Sequence, residues 1–573
     1  MRPSAPGASW SATLRAVCGV MLLGVMTGCV GIPVAGPVEV GEAVGSEPGL
    51  AFPVADEPSL DDGPQEIVTG FLNASTAGLY DEFVVARKYL TTQAAAQWDP
   101  RARVLVYPVD GGSPEIEARE DGVVVVSVPV EATVDAEGRY LEAVPNARTE
   151  VVFEMFEDAA GQWRVAGLDN GVMMAAPAFA RSYRQTAIYF ASQDRTHLVP
   201  ETRWFPRGNL AVGAVSAVLA GPSTWLQDAV STGVPEGTRL SSLTGVTVTD
   251  RVARVDLSPD ARRASEEDRG LLLAQLEAAL TRLPGTVVSS VEISVGGVAW
   301  VPGAVPELLR EVPTGAGPYV VDDGRLAVVD GGNVTPVVGA APLSDLDVRR
   351  LGVSLDEQVV VALVGSGRLV ELPTDGGEPV DLVTGANLLA PSFDRQGWVW
   401  TGERASSGSL TAVRPGDEAV VVGAEWLESR TVQSVRVARD GARVVVAHSG
   451  PGGSDLVMDL AAVVRGQDGT PQLLSEERVR VGTVLEGVTD MAWVDEGRVA
   501  VLGRSGDVSV PTVHLVTLGG SVEDLTTPEG AVSLAARGDR ALFVVDESGR
   551  LHSWQNAAWV AVATGVEAPT FPG

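Results

Sequence analysis

The sequence predicts a multidomain chain: an α+β cone-like domain, a second α+β domain and an all-β carboxy-terminal propeller. Three observations predict it. The 573 residues exceed one ordinary core, and apolar residues at helical spacing alternate with strand-like runs up to about residue 300. Beyond that point the chain is rich in Gly, Asp and Val, with no long helical pattern. Hydrophobic residues make up 45% and charged residues 20%, ample apolar surface for packed domains and an argument against disorder.

Residues 1–28 have the layout of a signal peptide: Arg2 and Arg15, no acid, then an uncharged apolar run from Ala16 to Met26. As a helix that run reaches only about 16 Å, against a hydrocarbon core of about 30 Å. Thr27-Gly28-Cys29 follows and resembles the lipobox of bacterial lipoproteins, with Met26 where that pattern prefers leucine. The resemblance implies cleavage between Gly28 and Cys29, and a Cys29 carrying N-palmitoyl and S-diacylglycerol groups. One acyl chain anchors marginally, at about 0.8 kcal/mol per buried methylene, so two or three are needed for firm attachment. The alternative is an ordinary secretory signal with an incidental cysteine. Cys18, the only other cysteine, lies in the segment to be removed, so no disulfide is expected.

Residues 29–62 are rich in Gly, Pro, Asp and Glu without a single basic residue, and predict a flexible acidic tether. Residues 63–180 predict the cone-like domain. Ile67, Val68, Phe71 and Leu72 mark one helix, and Phe83, Val84, Ala86, Tyr89 and Leu90 a second. Strands are expected at Arg103–Tyr107, Val123–Val130, Glu150–Phe156 and Trp163–Leu168, closing as a curved antiparallel sheet. Residues 181–305 predict the second domain, with an Ile-Tyr-Phe strand near Ala187 and a helix from Leu210 to Leu219 stopped by Gly221-Pro222. Strands at Val246–Thr249 and Val252–Leu257, a helix from Glu266 to Leu283 and a strand at Val287–Val295 complete it. Leu219-Ala-Gly-Pro222, Val234-Pro-Glu-Gly237 and Val255-Asp-Leu-Ser258, in that order, resemble a GerM-type domain. Glu201 and Arg203 suggest a catalytic acid with an anion clamp, or a structural pair within the sheet.

Residues 316–573 predict the propeller. An apolar strand, an Asp-containing turn and a second apolar strand recur around Asp356, Asp394, Asp440, Asp495 and Asp539, separated by 38, 46, 55 and 44 residues, intervals that bracket one blade. A partial copy at Val321-Asp-Asp-Gly-Arg-Leu-Ala suggests five or six blades. These aspartates suit turn formation, with calcium binding the alternative. Gly365-Ser-Gly-Arg368 suits a blade turn better than a phosphate cradle.

The formal charge is −32, and becomes −34 once the first 28 residues with their two arginines are gone. Such a body repels phosphate backbones, so nucleic acid is a poor partner. Lys88 is the only lysine and sits in no lysine-dependent motif. His197, His448, His514 and His552 lie too far apart for a helical or hairpin metal pair, and His-Glu-x-x-His, Cys-x-x-Cys and Gly-x-Ser-x-Gly are all missing. No catalytic residue, cofactor site or metal site is expected.

The order of lipobox, cone-like domain, GerM-type domain and degenerate propeller resembles the LpqB family of actinobacterial lipoproteins. Gly63-Pro-Gln-Glu-Ile-Val-Thr-Gly-Phe-Leu72, Ala86-Arg-Lys-Tyr-Leu90 and Gln97-Trp98 carry the amino-terminal likeness. The resemblance implies a non-enzymatic protein, lipid-anchored on the extracellular face of the cell membrane. It would act as accessory regulator of an MtrB-type two-component sensor histidine kinase, contacting the kinase's extracytoplasmic domain in signalling linked to cell-wall homeostasis. Two other readings are a peptidoglycan or wall-glycan binding module, in which Trp398, Trp400, Trp493 and Trp554 stack on sugars unless buried in the blades, and an exported propeller hydrolase using paired carboxylates.

Overall fold

The computed structural model describes residues 55–573, apart from 80, 111, 121, 243–244, 311–316, 452–454, 507–509 and 539–540. The signal-peptide features, Gly28 and Cys29, and the repeat aspartate Asp539 lie outside the described residues.

In the first domain, Pro64–Ala77 starts on a proline and turns Ile67, Val68, Phe71 and Ala74 inward. Phe71 meets Trp98 and Phe153 edge-on, with ring centroids 5.1 and 5.9 Å apart. The second helix is shorter than its apolar pattern, Val84–Lys88, because Phe83 adopts a left-handed φ of 63° at its start. A third, Thr92–Gln97, is capped by the Thr91 hydroxyl accepting the Ala94 N–H. Strands form at Arg103–Tyr107, Val123–Pro129, Arg148–Glu157 and Trp163–Gly167.

They do not close as one curved antiparallel sheet. Two four-stranded sheets form, and Arg103–Tyr107 pairs in parallel with Val172–Ala175. The Pro64–Ala77 helix packs against strands of both sheets and fills the space that a single curve would have closed. The acidic tether is also held earlier than residue 62: the Asp56 carbonyl accepts the Tyr89 hydroxyl at 2.8 Å, and Glu57 pairs with Lys88 at 2.5 Å.

The second domain is built on Tyr183–Ser192, the middle strand between Leu198–Pro206 and Val230–Ser231. Leu210–Ala220 packs on it, apolar nearly all round, and stops at Gly221 with φ 88°. Glu266–Leu280 packs beside it, its start capped by Ser265 and followed by three acids that suit the helix dipole. This helix ends three residues before Leu283, and the strand expected from Val287 begins at Ser290. The buried Gln275 ties the layers together, accepting from the Gly233 N–H and donating to the Tyr189 carbonyl.

Among the described residues six blades follow, four of them separate four-stranded sheets and two joined into one nine-stranded sheet where Gly423 meets Leu473. Their inner strands are Val348–Val353, Ser392–Phe393, Thr431–Val437, Leu485–Trp493, Ala531–Ala536 and, from the end of the chain, Val566–Thr570. Each inner strand lies beside the next around a ring. The last one pairs with Tyr319–Asp322, so the carboxy-terminal strand completes the first blade and closes the circle. Closure leaves no long unpaired edge between first and last blades.

Domains and ring are joined along continuous packing. The largest apolar cluster runs from Ile188, Leu226 and Leu276 of the second domain into Val445, Met491 and Trp493 of the propeller. From the first domain, the half-buried Glu142 accepts the Gly482 and Thr483 N–H groups at 3.2 and 2.9 Å. Burial raises its pKa against those two donors.

Candidate functional site

The turn aspartates lie where each inner strand passes to its neighbour, on one face of the ring. Asp356, Asp394, Asp440 and Asp495 each accept the backbone N–H two residues on, at 2.8–3.2 Å. These are Asx turns, and at Asp440 the following Gly441 supplies φ 73°. Gly365–Gly367 likewise links the strands Val360–Val364 and Arg368–Glu371. Among the described residues, no group of three or more His, Cys, Asp or Glu side chains could hold a metal ion.

The second domain covers part of this face through paired charges. Arg395 binds Asp194 at 2.7 Å, and Arg310 binds Glu496, which also accepts the Tyr189 hydroxyl at 2.8 Å. Burial would raise the Asp194 pKa, but donors from Ser192 and Arg395 and the Arg395 charge hold it down at about 2. Within the ring, Arg443 pairs with Asp440 and Arg465 with Asp394, at 2.7 and 2.6 Å. Two cavities lie along the seam, about 560 Å³ beside Arg395 and about 210 Å³ beside Arg310.

Glu201 and Arg203 form a buried pair at 3.0 Å. Both carboxylate oxygens of Glu201 are engaged by Ser223, through its N–H and its hydroxyl. Burial pulls the Arg203 pKa down while Glu201 holds it up, and neither residue lines the cavities beside Arg395 and Arg310. It is the structural pair of the two readings.

The tryptophans are structural as well. Trp398, Trp400 and Trp493 are buried, and Trp554 packs on Trp559 with centroids 5.2 Å apart. Trp400 donates to Asp394 and Trp493 to the Arg436 carbonyl. None of these three indoles offers a free face for sugar stacking. The histidines are scattered, His448 on Asp459, His514 on Asp524, His552 on Asp546 and His197 beside Thr196. In the first domain a cavity between the Pro64–Ala77 helix and the strands holds about 30 Å³, room for about one water molecule.

The sequence reading missed a group of basic side chains gathered at the propeller axis: Arg350, Arg404 and Arg436, with Asp490 beside Arg350 and Arg436. They come from three blades, and only the ring brings them together.

The family model described as "Lipoprotein LpqB, N-terminal domain" matches residues 57–180, "Sporulation and spore germination" matches 187–299, and "Lipoprotein LpqB beta-propeller domain" matches 324–572. A relative named Lipoprotein LpqB from Streptomyces coelicolor is 30% identical, covering 97% of both chains. Another of that name, from Thermobifida fusca, is 28% identical over 98% of this chain and 99% of its own. Among solved structures, the first GerMN domain of the sporulation protein GerM from Bacillus subtilis is 20% identical, covering 22% of this chain and 98% of its own, at a TM-score of 0.18.

Proposed function

The chain belongs to the LpqB lipoprotein family, and on that premise we propose that it is a membrane-anchored accessory regulator of a two-component sensor kinase, contacting the kinase's extracytoplasmic domain. Membership of a lipoprotein family implies the membrane anchor. Among the described residues no helix is long and apolar enough to cross a membrane. The anchor is assigned to Cys29, acylated after cleavage at Gly28, with the folded domains on the extracellular face.

The observation that carries the proposal is the way the domains are joined. Salt bridges, a shared apolar cluster and backbone donors to Glu142 tie three domains into a broad body suited to binding a protein partner. Carboxylates facing the larger seam cavities are engaged in ion pairs or turns: Asp194 with Arg395, Asp440 with Arg443, Glu496 with Arg310, Asp468 with the Thr470 N–H. That arrangement favours a binding role over paired-acid hydrolysis, and the buried tryptophans weigh against sugar stacking.

Two experiments test it. Metabolic labelling with a fatty-acid analogue should mark the native chain, and Cys29→Ser should abolish both label and membrane retention; a labelled, retained serine variant would refute the anchor. Crosslinking in intact envelopes should then recover the sensor kinase with this chain, and its consistent absence would refute the regulatory role.

A further inference from the structure

The two ends of the propeller axis differ. Along its length the axis is nearly filled, with about 40 Å³ of free space between the inner strands. At the end away from the aspartate turns it widens into a cavity of about 450 Å³, lined by propeller residues alone.

The walls of this mouth carry Arg349, Arg350 and Arg404, with Asp347 and Asp490. Both acids are already engaged. Asp347 pairs with Arg349 at 2.8 Å. Asp490, 4% exposed at its side chain, binds Arg436 at 2.9 Å and accepts the Met491 and Leu534 N–H groups. Arg350 approaches Asp490 no closer than 3.8 Å.

Arg404 has no carboxylate within 4.0 Å among the described residues, and its guanidinium reaches the Gln433 carbonyl at 3.4 Å. Burial, and then the charge of Arg350, lower its pKa, as expected of like charges facing one another. Four guanidinium groups thus meet two carboxylates here, in a chain whose net charge is −32.

We propose that this mouth binds a small organic oxyanion, through a phosphate or carboxylate group held between Arg350 and Arg404. The planar guanidinium fork matches either group with two parallel hydrogen bonds. Low-dielectric walls focus the positive field in the recess, while the acidic exterior repels long polyanions such as nucleic acid. The cavity lies in the size range of sites for small molecules. Arg436 makes the closer pairing with Asp490, while Arg350, held in place by the Arg349 and Val532 carbonyls, keeps its charge on the wall of the mouth.

The test uses the full lipidated chain in detergent, titrated by calorimetry with inorganic phosphate, glycerol phosphate and citrate. At least one probe should bind saturably, and which one separates a phosphate source from a carboxylate source. Loss of one charge-assisted contact should weaken binding about tenfold or more in Arg404→Gln, with partial recovery in Arg404→Lys. Arg404→Gln should retain the wild-type Tm, since the residue has no ionic partner to lose. Arg395→Gln, on the opposite face, should leave binding unchanged. Absence of saturable binding to every probe would overturn the proposal. So would binding that Arg404→Gln and Arg350→Gln both leave intact.

Discussion

The two faces of the propeller use arginine in opposite ways. On the face of the aspartate turns, Arg395, Arg443, Arg465 and Arg310 each have a carboxylate, and the second domain lies over part of them. On the other face, Arg404 has no carboxylate within 4.0 Å among the described residues and shares the recess wall with Arg350. Guanidinium groups matched one to one hold domains together, because a buried charge left without its partner costs several kcal/mol. A guanidinium left without a counter-ion at the rim of a cavity costs less there and remains available to an external anion.

The contrast can be broken most forcefully at Asp394. Its side chain is fully buried, holds Arg465, and accepts the Trp400 indole N–H. Asp394→Ala should cost about 3–5 kcal/mol in denaturant unfolding, because Arg465 would stay buried and unpaired. A loss below about 1 kcal/mol would mean that the pair is not structural.

At the domain seam the expected effect is smaller. Glu496→Ala removes the acceptor for Arg310 and the Tyr189 hydroxyl and should cost about 1.5–3 kcal/mol. In calorimetry the variant should separate unfolding of the propeller from that of the second domain more clearly than wild type does. An unchanged thermogram would show that the apolar cluster alone couples them.

Acid tests the same seam. Asp194 has its pKa held at about 2, below the usual value for an aspartate of about 3.9. A group depressed in the folded state contributes stability above its unfolded pKa, and that contribution fades as pH falls through the folded value. Wild type should therefore lose seam stability between about pH 4 and pH 2. Asp194→Asn should show a shallower loss over that interval in fluorescence-monitored unfolding; equal slopes would remove Asp194 from the account.

The smallest effect is expected at the open face. Arg404→Gln should change stability by about 0.5 kcal/mol or less, because no ion pair is broken. A large loss would reveal a structural partner and erase the contrast between the faces.

Local periodicity made much of this fold legible. The strand Arg103–Tyr107, the helix beginning at Leu210 and the aspartate turns could be read directly, since each depends on residues close in sequence. Glu115–Arg119 escaped because it is a solvated strand, Glu-Ile-Glu-Ala-Arg, with no buried face to produce an apolar alternation. The parallel pairing of Arg103–Tyr107 with Val172–Ala175, and closure of the ring by Val566–Thr570, join segments too distant for any local pattern to register. For the same reason the arginine mouth was invisible. Arg350, Arg404 and Arg436 are scattered through three strand–turn segments until the blades bring them to one axis. Glu201 and Arg203 were conspicuous at once, two apart on one strand, yet proximity in sequence could not show that Ser223 would engage the carboxylate.

The regulatory role is tested most directly by surface plasmon resonance between the purified lipidated chain and the sensor kinase's extracytoplasmic domain, at physiological ionic strength. Saturable binding that persists in Cys29→Ser, whose folded body is intact but unanchored, is the predicted result. No binding by the wild-type chain, with both proteins folded, would contradict the account.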